Sequence, residues 1–282
     1  MKIPERLRPL IEDGIIDDVV GEVKSGKEAQ VYLVRCGGEL RCAKVYKEAI
    51  HRSFKQAVHY QEGRKHQSSR TARAMNRHTR FGRKESEASW ISAEADALYT
   101  LTAAGVRVPK PFGFHDGVLI MELIADDEGA PAPRLNDVSL SAEVAREYHG
   151  RLIAQVVRML CAGIIHGDLS EFNVLVDARG PVIIDLPQAV NAAGNPGARR
   201  MFLRDVDNLA GYFGAFAPEL RATDYGREIW AVYEHGRLTP ETPLTGRFIG
   251  SGKKAQVGAV LSAIKEARWE HELLARKKVP TK

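Results

Sequence analysis

The stretch IIHGDLSEFNVLV, residues 164–176, decides the fold of this 282-residue chain. The carboxylic acid Asp168 and the amide Asn173 lie five residues apart in a polar segment. This segment leads directly into an apolar strand. A second apolar run follows and ends at Asp185, in VIID at 182–185. Two short β-branched runs separated by a turn predict a β-hairpin. We therefore expect this hairpin to bring Asp168, Asn173 and Asp185 to one place.

Two carboxylates and an amide in this arrangement are the groups that phosphoryl transfer needs. One carboxylate, Asp168, would orient the incoming hydroxyl and accept its proton, while Asn173 and Asp185 would hold Mg²⁺ against the phosphates. Each part also has an ordinary explanation, since an isolated HGD can be a turn and many strands end in Asp. The combination favours the catalytic interpretation.

Lys44 lies in the apolar sequence CAKVY, residues 42–46, which is predicted to form a strand. A lysine there either extends to water or reaches into a cleft to pair with the α- and β-phosphates of ATP. In the second case it needs a carboxylate partner. Glu94 is favoured because it falls on the apolar stripe of a helix predicted over residues 87–104, with Glu87 and Asp96 as the alternatives.

Two further segments are expected to bind nucleotide. Residues 25–29, SGKEA, connect two strands, and their backbone N–H groups with Ser25 and Lys27 could bind phosphates, although an ordinary hairpin turn would look the same. The strand at 118–124 is expected to form a hinge between lobes. There, backbone groups of Glu122 and Ile124 would bind adenine with Met121 behind the ring, unless this is a plain core strand.

The distribution of elements predicts an α+β fold with two lobes. Short strands are expected at 19–23, 31–35, 40–46 and 118–122, after a helical lead-in at 3–16. Helices are expected at 141–163, 199–217, 224–236 and 252–277. We place the N-terminal lobe at 1–125 and the C-terminal lobe at 126–282, with an acidic, proline-containing linker at 126–133 between them.

Charge and composition indicate the environment of the chain. The net charge of +5 conceals a basic segment at 51–84, with ten Lys or Arg and one acid, that suggests an anionic partner such as RNA, or else a solvated connector. The three cysteines form no CxxC pair and are expected to be reduced. No apolar run is long enough for a membrane helix, so the expected location is the cytoplasm.

Three motifs together resemble the RIO family of atypical serine/threonine protein kinases, especially its first subgroup. The motifs are SGKEA at 25–29, HGDLSEFN at 166–173 and IIDLPQAV at 183–190, and the likeness extends from about Ile15 to Tyr212. The resemblance implies a two-lobed protein-kinase-like fold that uses ATP with Mg²⁺, or alternatively Mn²⁺. It also implies Lys44 on the phosphates, Asp168 as proton acceptor, and Asn173 and Asp185 on the metal.

The same resemblance implies further properties. In some members the metal-binding aspartate takes the phosphate itself, which would make Asp185 a nucleophile as well as a ligand. The basic segment corresponds to a loop in which serine autophosphorylation occurs, here at Ser68, Ser69 or Ser86. The family is linked to maturation of the small ribosomal subunit, so ribosomal RNA or a pre-ribosomal particle is an expected partner.

The sequence departs from ordinary protein kinases in several places. Gly167 replaces the arginine of the catalytic loop, Asp185-Leu186-Pro187 replaces D-F-G, and the connection to the next helix, near residues 202–208, has no room for a full activation loop. Recognition of an extended peptide is therefore not expected. Asp205 either binds the backbone of the catalytic loop or caps a helix. The absence of a preceding winged helix argues against the family's second subgroup.

Two rival functions remain at this stage. A small-molecule kinase of the aminoglycoside or choline type also uses HGD, Asn and a strand-end aspartate, but lacks the GKEA and DLPQA motifs. An RNA- or ribosome-binding ATPase switch would use the same site for hydrolysis and the basic segment for binding. Oligomeric state is not indicated by the sequence.

Overall fold

The computed structural model of the chain describes residues 3–26, 29–47 and 93–248. Several predictions lie outside these residues: those for Lys27, Glu87, the basic segment at 51–84, the serines Ser68, Ser69 and Ser86, and the helix at 252–277. The described residues up to Arg247 belong to one compact unit.

The N-terminal half forms a five-stranded antiparallel sheet in the order β1-β2-β3-β5-β4. The predicted strands are confirmed, and Gly37 and Gly38 make the turn between the second and third with φ of 60° and 83°. Strand β4 was not predicted, because it begins at a proline and lies at the sheet edge, where a missing N–H is tolerated. The strands are β1 (Asp18–Ser25), β2 (Ala29–Cys36), β3 (Glu39–Tyr46), β4 (Pro111–His115) and β5 (Val118–Glu122).

Two helices accompany the sheet. The lead-in predicted at 3–16 is shorter than expected, a 3-10 turn at Glu5–Leu7 followed by α1 (Arg8–Glu12). Helix α2 is described over residues 93–103, and Gly105 follows with φ of 71°, the left-handed conformation common after a helix end. Leu98 and Leu101 of α2 are buried, as the predicted stripe requires.

The C-terminal half is mainly helical. Its helices are α3 (Ala142–Cys161), α4 (Ala198–Phe213) and α5 (Tyr225–Glu234), with 3-10 turns at Leu135–Asp137, Glu171–Asn173 and Pro218–Ala222. The predicted hairpin is present as β7 (Val174–Asp177) and β8 (Gly180–Ile183), with Val174 opposite Ile183. A second small pair, β6 (Ile164–Ile165) and β9 (Val190–Asn191), was not predicted because each strand has only two residues.

This arrangement confirms an α+β fold with a β-rich N-terminal lobe and a mainly helical C-terminal lobe. One core cluster runs through both halves and joins Leu98 of α2, Leu119 of β5 and Leu152 of α3. A second cluster packs α1 against the other face of the sheet. None of the helices within the described ranges has the length and apolarity that crossing a membrane requires.

Candidate active site

A cleft of about 690 Å³ opens where the sheet faces the β7–β8 hairpin. Apolar residues from both halves line it, among them Val31, Met121, Ile124 and Leu175. The polar residues predicted for catalysis line the same cleft: Lys44, Glu94, Asp168, Asn173 and Asp185. The structure therefore gathers the chemistry-bearing residues of the distant motifs into one concave site, which is the usual setting of an active site.

Lys44 holds the two halves of the site together. Its Nζ lies 2.7 Å from Glu94 Oε1 and 2.8 Å from Asp185 Oδ1. Lys44 and Glu94 are buried, at 9% and 2% exposure, whereas the side chain of Asp185 is 48% exposed to the cleft. Asp96, the alternative partner on the same helix, is exposed, so Glu94 is the carboxylate that reaches Lys44.

The charges of this cluster stabilise one another. Burial alone would lower the pKa of Lys44, but the charges of Glu94 and Asp185 outweigh burial and hold that pKa above its ordinary value. Burial likewise would raise the pKa of Asp185, and the charge and hydrogen bond of Lys44 keep it below its ordinary value. Lysine and aspartate are thus both charged at neutral pH.

Tyr46 is a member of the cluster that sequence reasoning missed. Its hydroxyl donates to Glu94 Oε2, so the glutamate carboxylate is bound at both oxygens. Tyr46 follows Lys44 by two residues on β3 and therefore lies on the same face of the strand. That alternation is the signal that could have identified it.

The loop at 166–173, predicted to be the catalytic loop, exposes Asp168 and holds Asn173 beside it. Asp168 is exposed, and the amide Nδ2 of Asn173 donates to the Asp168 carbonyl at 2.8 Å. This bond uses the donor side of the amide and leaves the amide oxygen for another partner. The backbone N–H of Ile184 donates to the Asn173 carbonyl at 3.0 Å and fastens the loop to the end of β8.

Asp205 of α4 supports the loop from within the C-terminal lobe. Its carboxylate accepts from the N–H of Gly167 at 2.7 Å and from the N–H of Leu169 at 3.1 Å. The helix-cap alternative is wrong, because α4 begins at Ala198 and Asp205 lies within it. Burial is the main cause that raises the pKa of Asp205, and the two backbone bonds oppose it.

Two more residues of α4, both missed by the sequence analysis, bind the same loop. Arg204 donates to the Gly167 carbonyl, and Asn208 Nδ2 donates to the Leu169 carbonyl at 2.9 Å. Together with Asp205 they satisfy four backbone groups on either side of Asp168. One turn and a half of helix therefore determines the conformation of the loop.

Gly167 and Asp185 adopt left-handed backbone conformations. Gly167 has φ of 80°, and a Cβ there would lie 2.6 Å from the Gln188 carbonyl oxygen, which explains why arginine is not found at this position. Asp185 has φ of 66° although it carries a side chain. A strained backbone conformation of this kind persists only where surrounding contacts enforce it, and here the contact is the hydrogen bond from Lys44.

His166 links the loop to the strand before Asp185. Its Nε2 lies 3.0 Å from the Ile184 carbonyl, and its Nδ1 accepts from the Asp168 N–H at 3.3 Å. An accepting Nδ1 and a carbonyl at Nε2 place a ring proton on Nε2. His166 therefore orients the backbone next to both aspartates.

The hinge predicted at the end of β5 has one unused donor. The N–H of Glu122 donates to the Lys110 carbonyl at 2.8 Å, and the Ile124 carbonyl accepts from Ala132 at 2.9 Å. The Ile124 N–H makes no hydrogen bond with any residue that the structure describes. Met121, Glu122 and Ile124 all line the cleft, so this donor is positioned for a ligand.

Ser25 is the predicted site residue that the structure separates from the others. It lies at the end of β1, opposite Gln30, and is absent from the described lining of the cleft, whereas the neighbouring Gly26 is part of that lining. The Gly26 N–H donates to the Ala29 carbonyl at 2.9 Å. Phosphate binding by Ser25 remains a prediction.

The donor set fits a hard divalent cation. Asp185 offers a carboxylate half-exposed to the cleft, and Asn173 offers an amide oxygen whose nitrogen is already engaged. Oxygen ligands of this kind suit Mg²⁺, which is usually held by one or two protein groups and by substrate phosphates. Among the described residues no group of three or more His, Cys, Asp or Glu could hold a metal ion.

The sheet, the hinge, the Lys44–Glu94 pair and the supported catalytic loop together define the protein-kinase-like class of folds. Within that class, the family model of the RIO domain matches residues 30–225, and the chain belongs to this family.

Curated relatives carry the same family name. The chain is 35% identical over 219 residues to the RIO-type serine/threonine-protein kinase Rio1 of Haloferax volcanii, with 72% of this chain and 66% of the relative covered. It is 32% identical over 206 residues to the human serine/threonine-protein kinase RIO1, with 72% and 34% covered. The Rio1 of Methanocaldococcus jannaschii is 30% identical over 200 residues, with 70% and 63% covered. The chain thus spans between 34% and 66% of the length of these relatives.

Proposed function

We propose that this chain is an atypical serine/threonine protein kinase that transfers the γ-phosphoryl group of ATP. The observation that carries the proposal is the convergence of Lys44, Asp168, Asn173 and Asp185 on one cleft. Membership of the RIO family supports it, since the relatives are named as kinases. The proposal covers the activity, the substrates and the partners of the chain.

In this proposal each residue has one role. Adenine lies against Met121 and accepts a hydrogen bond from the Ile124 N–H, with the Glu122 backbone next to it. Lys44, oriented by Glu94, contacts the α- and β-phosphates. Asp168 accepts the proton of the attacking hydroxyl, which its exposure to the cleft permits.

Asn173 and Asp185 would hold Mg²⁺, with Mn²⁺ as the alternative, and the metal supplies charge neutralisation for the phosphates. Asp185 must then share its carboxylate between the metal and Lys44, from which it lies 2.8 Å away. The backbone contacts of Asn173 with Asp168 and Ile184 keep its amide beside that carboxylate.

The acceptor we propose is a serine of the chain itself or of a compact partner. In the structure Asp185 is followed directly by β9 and then by α4 at Ala198, so the long segment with which ordinary kinases hold peptides is absent there. Autophosphorylation at Ser68, Ser69 or Ser86 agrees with this geometry. A second acceptor is Asp185 itself, whose half-exposed carboxylate favours an aspartyl-phosphate and ATP hydrolysis.

We also propose a cytoplasmic protein whose basic segment at 51–84 binds ribosomal RNA or a pre-ribosomal particle. The support is the charge of that segment in the sequence, with ten Lys or Arg against one acid. We further propose that the N-terminal lobe comprises residues 1–125 and the C-terminal lobe residues 126–282, with the bridge between Ala125 and Pro131 at their boundary.

The test uses ATP labelled on the γ-phosphate, with the full chain and an excess of divalent metal. Asp168→Asn is expected to lower the rate of transfer by about 10²–10⁴-fold while ATP affinity is unchanged, because the proton acceptor is lost and the binding residues remain. Asp207→Asn, an exposed change on α4, serves as control. Equal rates for Asp168→Asn and wild type would contradict the proposal.

The nature of the labelled product separates the acceptors. Acid-stable label on serine indicates autophosphorylation, whereas hydroxylamine-labile label that disappears in Asp185→Asn indicates the aspartyl-phosphate. Transfer to an aminoglycoside or choline in place of protein would instead support the small-molecule kinase. Stimulation of hydrolysis by RNA, without protein labelling, would support the ATPase switch.

A further inference from the structure

Arg134 is a cation of the cleft to which the catalytic motifs assign no role. It follows the linker after the hinge, and its extended backbone pairs with Leu175 of β7 in an isolated bridge. The neighbouring Pro133 carbonyl accepts from the Val176 N–H at 2.9 Å. The segment is thus fixed against the hairpin that carries the catalytic residues, and Arg134 lines the cleft from there.

The described lining of the cleft is more acidic than basic. Its cationic members are Lys24, Lys44 and Arg134, and its acidic members are Glu94, Glu122, Asp137, Asp168 and Asp185. Lys44 already contacts two of these acids, at 2.7 and 2.8 Å, and Lys24 is exposed on β1. A triphosphate entering this cleft brings more negative charge than Lys44 and one divalent metal ion offset.

The guanidinium of Arg134 is available for that purpose. It makes no hydrogen bond or ion pair within the described part of the chain, although the residue is half-buried. Its bridge partner Leu175 lies two residues after Asn173, and Arg134, Leu175 and Asn173 all line the same cleft. Arg134 is therefore held beside the hairpin that positions Asn173 and Asp185, and its guanidinium donors have no partner among the described residues.

We infer that Arg134 is a phosphate-binding residue of this chain, which contacts the phosphate oxygens of the bound nucleotide. The inference rests on the proposed use of ATP and adds a second cation to the role of Lys44. Guanidinium groups suit this task because they offer paired donors to phosphate oxygens in a fixed geometry. The contact lies on the C-terminal side of the cleft, opposite the strand that supplies Lys44.

The test compares the affinity of the full chain for ATP, ADP and adenosine by calorimetry, with wild type, Arg134→Gln, Arg134→Lys and Arg227→Gln. Arg227 is an exposed arginine of α5 outside the cleft lining and serves as the matched control. We expect Arg134→Gln to weaken ATP binding about tenfold, the effect of one charge-assisted contact, and to leave adenosine binding unchanged. Arg134→Lys should recover part of the loss.

Each other outcome overturns the inference. If Arg134→Gln binds ATP like Arg227→Gln, the contact does not exist, while the proposed function stands. If adenosine affinity falls as much as ATP affinity, Arg134 acts on the nucleoside or on the fold. Wild-type protein that binds no ATP would overturn the proposed function together with the inference. Should Arg134→Gln unfold, Arg134→Lys carries the same comparison, with a reduced ratio of ATP to adenosine affinity expected.

Discussion

Two parts of the cleft are stabilised by different kinds of contact: the lysine side, formed by Lys44, Glu94 and Tyr46, and the predicted catalytic loop at 166–173. On the lysine side, Lys44, Glu94 and Tyr46 bind one another through side chains, and two of the groups are buried charges. In the loop, α4 binds backbone groups on either side of an exposed Asp168. The first arrangement depends on charge and the second on hydrogen-bond geometry. Substitutions should therefore affect the two sides in different ways.

The largest effect is expected from breaking the charged pair with Glu94→Gln. Removal of one partner leaves a buried charge only partly compensated, here by Asp185, so we expect a loss of about 3 kcal/mol in the free energy of unfolding. Chemical denaturation measures this loss, and Asp96→Asn on the same helix is the control, since Asp96 is exposed. Equal stability of the two variants would show that the pair contributes nothing.

The stability of the helical core around His149 should depend on acid pH in a way that the stability of the Lys44 side of the cleft does not. Burial lowers the pKa of His149 to about 4, and its Nε2 finds no hydrogen-bond partner among the described residues. The unfolded chain then binds the proton more readily. Above the ordinary histidine pKa of 6.5, His149 does not reduce the free energy of unfolding. As the pH falls from 6.5 toward about 4, the free energy of unfolding decreases because the unfolded chain is protonated first.

Replacement of His149 by a side chain that does not titrate tests this pH dependence. We expect His149→Leu to remove up to about 3 kcal/mol of the acid-dependent loss between these pH values. Urea unfolding at a series of pH values measures the slope, and His235→Gln, an exposed histidine after α5, is the control. An unchanged slope in His149→Leu would assign the acid sensitivity to other groups.

In the loop, Asp205→Asn should have a smaller effect than loss of the charged pair. The amide oxygen can still accept one backbone N–H, but the amide nitrogen then faces the other donor, so we expect a loss of about 2 kcal/mol. The rate of phosphoryl transfer should fall as well, because Gly167 and Leu169 flank Asp168. Asp207→Asn, two residues further along α4 and exposed, is the comparison in both measurements. Identical behaviour of the two variants would remove the support we assign to Asp205.

The smallest effect is expected from Tyr46→Phe, which keeps the ring and removes one hydrogen bond to Glu94. We expect a loss of about 1 kcal/mol in stability and a weaker apparent affinity for ATP. Tyr32→Phe changes a buried tyrosine in the other core cluster of the same sheet and controls for the loss of a hydroxyl. If ATP affinity in Tyr46→Phe equals that in Tyr32→Phe, Tyr46 does not orient Glu94.

Most of the fold and the central acids could be predicted because their patterns are local. The hairpin that carries Asp168, Asn173 and Asp185 is continuous in sequence, and Glu94 lies on a periodic helix stripe. Arg204 and Asn208 were missed for a physical reason. Their partners are distant in sequence, and a polar residue on a helix or in an extended segment looks the same whether it faces water or a backbone carbonyl.

The role of Asp205 and the edge strand β4 illustrate the same limit. The sequence left two interpretations of Asp205 open, and only the start of α4 at Ala198 decides between them. Strand β4 begins with Pro111 and contains Gly113, residues that weaken a strand pattern. It forms because β5 offers it a partner, which is a tertiary effect.

The left-handed backbone at Asp185 has a consequence for laboratory evolution of this chain. A non-glycine residue in this conformation costs about 1 kcal/mol, and glycine would relieve that cost at once. Glycine at position 185 would also remove the carboxylate that lies 2.8 Å from Lys44 and helps to offset its buried charge. The ion pair with Lys44 is worth more than the relief of backbone strain, so a screen for thermal resistance alone is expected to retain aspartate at position 185.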